Sequence, residues 1–155
     1  MGKITGSTAE LVNYIGHEFE PGGWIEVSQA RIDEFADCTE DHQFIHVDAG
    51  RAARTPLGGT IAHGFLVLSL LSPMCIESTV VPDDATMGVN YGFDRVRFLV
   101  PVRSGKRIRA RVKLTSISEK EPGRLLVNHA VTVEIEGESK PALIAEWLIM
   151  WSSAQ

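Results

Sequence analysis

Two hydrophobic periodicities divide the chain. Up to residue 76 the apolar residues cluster in short runs at helical spacing, and after residue 86 they alternate with polar ones. Ser7 and Glu10 have capping-box spacing ahead of Leu11, Val12 and Ile15, which predicts a first helix stopped at Gly16. Pro21-Gly22-Gly23 predicts a turn, and residues 24–27 a short strand. Ser28 is placed to cap a second helix with Ile32, Phe35 and Ala36 on one face. That helix should fray near Cys38 and Thr39 and leave residues 41–46 in a loop. Asp48 is an N-cap candidate for a short helix through Arg54, ended by Thr55-Pro56-Leu57-Gly58-Gly59. His63-Gly64 then opens the most apolar segment, which runs to Ile76 and predicts one helix buried nearly all round.

The second half predicts long antiparallel strands. Residues 89–98 form the first, with Pro101 as its breaker. Between 106 and 114, Ile108, Ala110, Val112 and Leu114 alternate with Arg107, Arg109, Arg111 and Lys113, as on a half-exposed strand. Residues 125–136 and 142–151 follow, separated by a turn at Glu136-Gly137-Glu138. The fold class implied is α+β. A bent antiparallel sheet of roughly five or six strands wraps one central helix. No linker or repeat divides the chain, so residues 1–155 are expected to form one domain. A sheet curled around a helix leaves an edge strand open, and a second copy would cover it.

Composition changes this picture little. With 155 residues, 44% hydrophobic and 23% charged, the chain is ordinary for a globular protein that needs no staples. A net charge of −5 argues against a nucleic-acid partner. Cys38 and Cys75 fit no metal-ligand spacing, so no metal is expected and both thiols should be reduced. No secretory signal or membrane span is visible, and a cytoplasmic location is expected.

The chemistry concentrates at Asp41-His42-Gln43-Phe44-Ile45-His46 and at His63-Gly64. A carboxylate and an imidazole five residues apart can be aimed at one water, as addition of water to an activated double bond requires. If the double bond is conjugated to a thioester, negative charge builds on the thioester oxygen. A glycine N–H at a helix start suits that charge, since no side chain blocks the approach. Taken singly these are ordinary residues. An Asp and a His in a loop cap turns, His63 can bond a backbone carbonyl, a glycine allows close packing, and Ser72 can bond back to its own helix. The order and spacing of the whole set favour a site.

Those residues lie in FADCTEDHQFIHVDAGRAARTPLGGTIAHGFLVLSLLS, which resembles the signature of MaoC-like, (R)-specific enoyl-CoA hydratases with the hot-dog fold. The later NYGFDRVRFLVPVRSGKRIRARVKL is similar to a subgroup often labelled nodulation-protein-N-like. The resemblance covers residues 35–113. It implies reversible hydration of a trans-2-enoyl-CoA to a (3R)-3-hydroxyacyl-CoA. Asp41 and His46 would be the catalytic pair and Gly64 the amide that polarises the thioester carbonyl. Gln43, His63, Ser72, Asn90 and Tyr91 would contact substrate, with Ser72 at a position where the family carries a hydroxyl. No metal or redox cofactor is implied, CoA being part of the substrate, and a homodimer is expected. Where many members carry Asn-Pro inside the pair, this chain has Gln43-Phe44 with the spacing kept.

Other residues read as structure. The basic row from Arg107 to Lys113 fits a solvated sheet face, with Glu134 and Glu136 as its cross-strand partners. Arg95 and Arg97 are weak candidates for the CoA phosphates. His129 reads as a satisfied structural histidine, His17 as exposed, and Trp24, Trp147 and Trp151 as core or interface. Two rival functions remain. A hot-dog thioesterase would place a carboxylate on the central helix, but residues 64–76 hold no Asp or Glu. A non-catalytic acyl-thioester-binding subunit would be expected to have lost Asp41 or His46.

Overall fold

The computed structural model describes residues 2–153. Strand β1 (Ile4–Gly6) leads into helix α1 (Thr8–Leu11), where the expected capping box forms: Ser7 accepts from the Glu10 N–H and the Glu10 carboxylate reaches back to Ser7. The helix is shorter than its apolar spacing predicts. It tightens into a 3-10 turn over Val12–Tyr14, so Leu11 is buried while Val12 and Ile15 are exposed. Strand β2 (Ile25–Glu26) and helix α2 (Gln29–Thr39) follow, α2 capped by the Ser28 hydroxyl and burying Ile32 and Ala36. Glu40 ends it in the left-handed conformation.

Two short helices, α3 (Phe44–Val47) and α4 (Ala49–Ala52), carry the next stretch. Asp48 caps α4 as expected, accepting from the Arg51 N–H at 2.9 Å. His46 was expected in a loop but sits on α3, one turn made possible by the His46 N–H donating to the Gln43 carbonyl at 2.9 Å.

The central helix also differs from its prediction. It is two pieces, α5 (Gly64–Ser69) and α6 (Leu71–Cys75). Pro73 has no N–H to give the Ser69 carbonyl, so the ladder is interrupted there. Nor is it apolar to the core on all sides. Leu66, Val67, Leu71, Met74 and Cys75 face inward, while Phe65 and Ile76 are exposed.

Strands β3 (Val80–Pro82), β4 (Ala85–Phe98), β5 (Arg107–Glu121), β6 (Arg124–Ile135) and β7 (Leu143–Ser153) complete the chain. β1 and β3 pair in parallel, and the main sheet is antiparallel in the order β2-β5-β6-β7-β4. Its concave face supplies Ile108, Ala110, Val112 and Leu114 from β5, and Val127, Val131 and Val133 from β6, to the core around α5 and α6. Each such buried aliphatic side chain contributes roughly 1.5–3 kcal/mol. On the opposite face Arg107 pairs with Glu136, and Arg109 and Arg111 share Glu134, as the alternation predicts. The terminal strand β4 is unlike the others. Met87, Val89, Tyr91 and Phe93 are all exposed on it.

Candidate active site

The end of α2, the turn α3 and the start of α5 converge. The ligand atoms of Asp41, His46 and His63 all lie within 4.8 Å of one another. One water can therefore bridge the Asp41 carboxylate and the His46 ring. Asp41 is exposed and His46 and His63 are buried, so the pair joins a solvated charge to a dry imidazole.

The two sides of the His46 ring have different tasks. Its Nδ1 lies 2.7 Å from the Ile61 carbonyl oxygen, which can only accept, so Nδ1 carries the proton. That fixes the tautomer and leaves Nε2 with a free lone pair. Burial first, and the neighbouring His63 ring, hold the His46 pKa below the ordinary histidine value, against the pull of the Ile61 bond and of Asp41. His46 is thus a neutral base at pH 7. The turn that carries it is pinned by Gln29, whose side-chain N–H donates to the His46 carbonyl at 2.8 Å and whose oxygen accepts from Thr60. Sequence reading had given Gln29, Thr60 and Ile61 no role. Gln29 is the first residue of α2, directly after the Ser28 cap.

His46 and Gly64 share a cleft of about 280 Å³ with Val67, Phe98, Leu99 and Ala142. Gly64 opens α5, so its N–H has no acceptor within the helix. A methyl group at this position would meet the Phe98 ring at 3.1 Å, which explains the glycine by close approach.

The remaining candidates fall in different places. His63, expected to touch substrate, is buried against the rings of His46 and Phe35, and its Nε2 lies 2.9 Å from the Asp41 carbonyl. Gln43 is exposed at the start of α3, its N–H only 3.4 Å from the Asp41 carboxylate. Ser72 and Asn90 line a separate hollow of about 300 Å³ with Leu68, Phe93 and Trp147. Ser72 lies eight residues beyond Gly64, about 12 Å along the helix axis. Tyr91 is exposed on β4. Within this chain, therefore, Ser72, Asn90 and Tyr91 do not join Asp41, His46 and Gly64.

The same three side chains are the group in the described residues that could be taken for a metal centre. The His46 and His63 rings, however, stack at 3.7 Å with planes inclined by 23°. An ion must lie in each ring plane about 2.0–2.1 Å from its nitrogen, and planes so nearly parallel do not meet within that reach. The geometry suits a proton site.

Known proteins place this arrangement in a family. The MaoC like domain matches residues 10–138, and the chain belongs to the MaoC-like dehydratase family. It is 50% identical over 143 residues to nodulation protein N of Rhizobium leguminosarum bv. viciae, covering 92% of this chain and 89% of that protein. It is 39% identical over 145 residues to 3-hydroxyacyl-thioester dehydratase Z of Mycobacterium tuberculosis, covering 94% and 95%. Among solved structures, the (R)-hydratase from A. caviae involved in PHA biosynthesis superposes with a TM-score of 0.70 at 23% identity, over 87% of this chain and 94% of that one. The curled sheet around α5 and α6 is thus the hot-dog fold, of α+β class.

Proposed function

We propose that the protein hydrates trans-2-enoyl-CoA reversibly to (3R)-3-hydroxyacyl-CoA. The observation that carries this reading is the His46 ring, neutral and with its Nδ1 proton committed to Ile61, lining one cleft with the unspent Gly64 N–H and lying within 4.8 Å of the Asp41 ligand atom. The water is held between the Asp41 carboxylate and His46 Nε2. Nε2 takes a proton as the oxygen attacks C3, and the electron pair of the double bond moves onto the thioester oxygen. The Gly64 N–H donates to that oxygen while it is negative. The imidazolium, balanced by Asp41, returns the proton to C2. Each positioned group contributes roughly two to four powers of ten. The reaction is redox-neutral and the proton returns to the product, so no cofactor is consumed. The dehydratase relative supports the reaction class, and the (R) configuration rests on the family resemblance.

The exposed apolar row on β4 supports a second copy of the chain as its cover, pairing along the open edge. Light scattering on the purified protein should then give twice the chain mass. Among the described residues no helix is long and apolar enough to cross a membrane.

The test is an assay against short, medium and long trans-2-enoyl-CoAs with the product configuration determined and free CoA followed in parallel. Hydration to the R alcohol supports the proposal. Release of free CoA instead would make the protein a thioesterase, and binding without turnover a non-catalytic acyl-binding subunit.

A further inference from the structure

His63 is a group the mechanism above does not use, yet it touches every part of the site. Its ring is 2% exposed. The ring stacks on His46 at 3.7 Å, and the Phe35 ring lies 5.0 Å away, tilted by 53°. Its Nε2–H donates to the Asp41 carbonyl at 2.9 Å, and the next residue is Gly64. The Nδ1 atom is buried without a protein partner.

We propose that His63 is a positioning residue, a clamp that fixes the His46 ring by stacking and the Asp41 backbone by its hydrogen bond. This rests on the hydratase reading for its kinetic consequences, though the clamp itself can be read without turnover. The physical need is clear. His46 has one ring nitrogen tethered, so it could still rotate about that tether. A flat neighbour on one side removes that freedom. Asp41 is exposed, beyond the end of α2, and apart from its weak contact with Gln43 its anchoring bond is the one from His63. A displacement of about 1 Å at such a pair can cost on the order of a hundredfold in rate.

Two substitutions separate the two contacts. His63→Phe keeps the stacked ring and removes the donor, and His63→Gln keeps a donor and removes the ring. Both should lower kcat at least about tenfold while KM stays within about twofold, since His63 does not line the cleft. Asp41 and His63 are the titratable groups that act on the charge of His46. The His46 titration, followed by NMR of its ring carbons, should move to slightly higher pH in His63→Phe, which loses the His63 charge. It should move further in His63→Gln, where water also reaches the uncovered face. Either variant within twofold of the wild-type kcat would overturn the clamp. So would losses confined to KM, or a His46 titration that moves by the same amount in both. If the wild-type protein turns over no enoyl-CoA, the hydratase reading fails by itself. The titration then decides the clamp alone, a larger rise in His63→Gln than in His63→Phe being the supporting result and equal shifts the overturning one.

Discussion

His46 and His129 are both buried histidines whose pKa burial lowers, and their surroundings differ. His129 sits on β6 inside the core, its Nε2 3.1 Å from the Thr79 hydroxyl and its Nδ1 without a protein partner. Burial pushes its pKa down to about 4. His46 is lowered by burial too, but its Nδ1 has an acceptor and the ring lines a cleft within reach of a carboxylate. Burial makes a neutral imidazole in both places. Only His46 also has a fixed tautomer, an open lone pair and a nearby charge, which the proposed base requires. A perturbed histidine is therefore not by itself a site.

The comparison breaks first at His46. His46→Ala and Asp41→Asn should each lower hydration by on the order of a hundredfold or more without unfolding the protein, measured as kcat/KM with circular dichroism as control. His129→Leu should leave turnover within about twofold and act on stability instead. The sign follows from its depressed pKa. The stabilising contribution is complete above the ordinary value of 6.5 and is lost as pH falls toward about 4. The wild-type protein should thus lose on the order of 2 kcal/mol between pH 7 and pH 5 from this residue. Urea titrations of His129→Leu should show that much less acid sensitivity.

A smaller effect belongs to Gly64. Gly64→Ala must displace the Phe98 ring, 3.1 Å from the new methyl, and should cost about tenfold in kcat with the melting temperature little changed. The smallest lies on the far face of the sheet. Glu134→Gln frees Arg109 and Arg111 but should cost no more than about 1 kcal/mol, read from a urea titration at low salt, because these are partly solvated pairs.

What could be read in advance follows the range of the interactions. The four long strands and the caps at Ser7, Ser28 and Asp48 depend on alternation and on neighbours three residues away, and the sequence displays both. The parallel pairing of β1 with β3 joins Ile4 to Val80 and leaves no local trace. The break in the central helix was in principle visible at Pro73, but the apolar run around it masked the missing N–H. At the candidate site, the spacing of Asp41, His46 and Gly64 anticipated that the structure brings them close. The pins were not anticipated. Gln29, Thr60 and the Ile61 carbonyl act across 15 to 31 residues, and a backbone carbonyl has no sequence signature at all. For His63 the sequence offered both a substrate contact and a bond to a backbone carbonyl; the structure gives the carbonyl bond, and the stacking on His46 had no sequence signature.

The central claim is that Asp41 and His46 act as one unit on one water. It is tested most directly by a double-mutant cycle on the hydration of crotonyl-CoA, with Asp41→Asn, His46→Ala and the double variant measured alongside the wild type. The account predicts that the double variant is no more than a few-fold slower than the worse single one. Losses that multiply would contradict it, since they would assign the two residues to independent tasks.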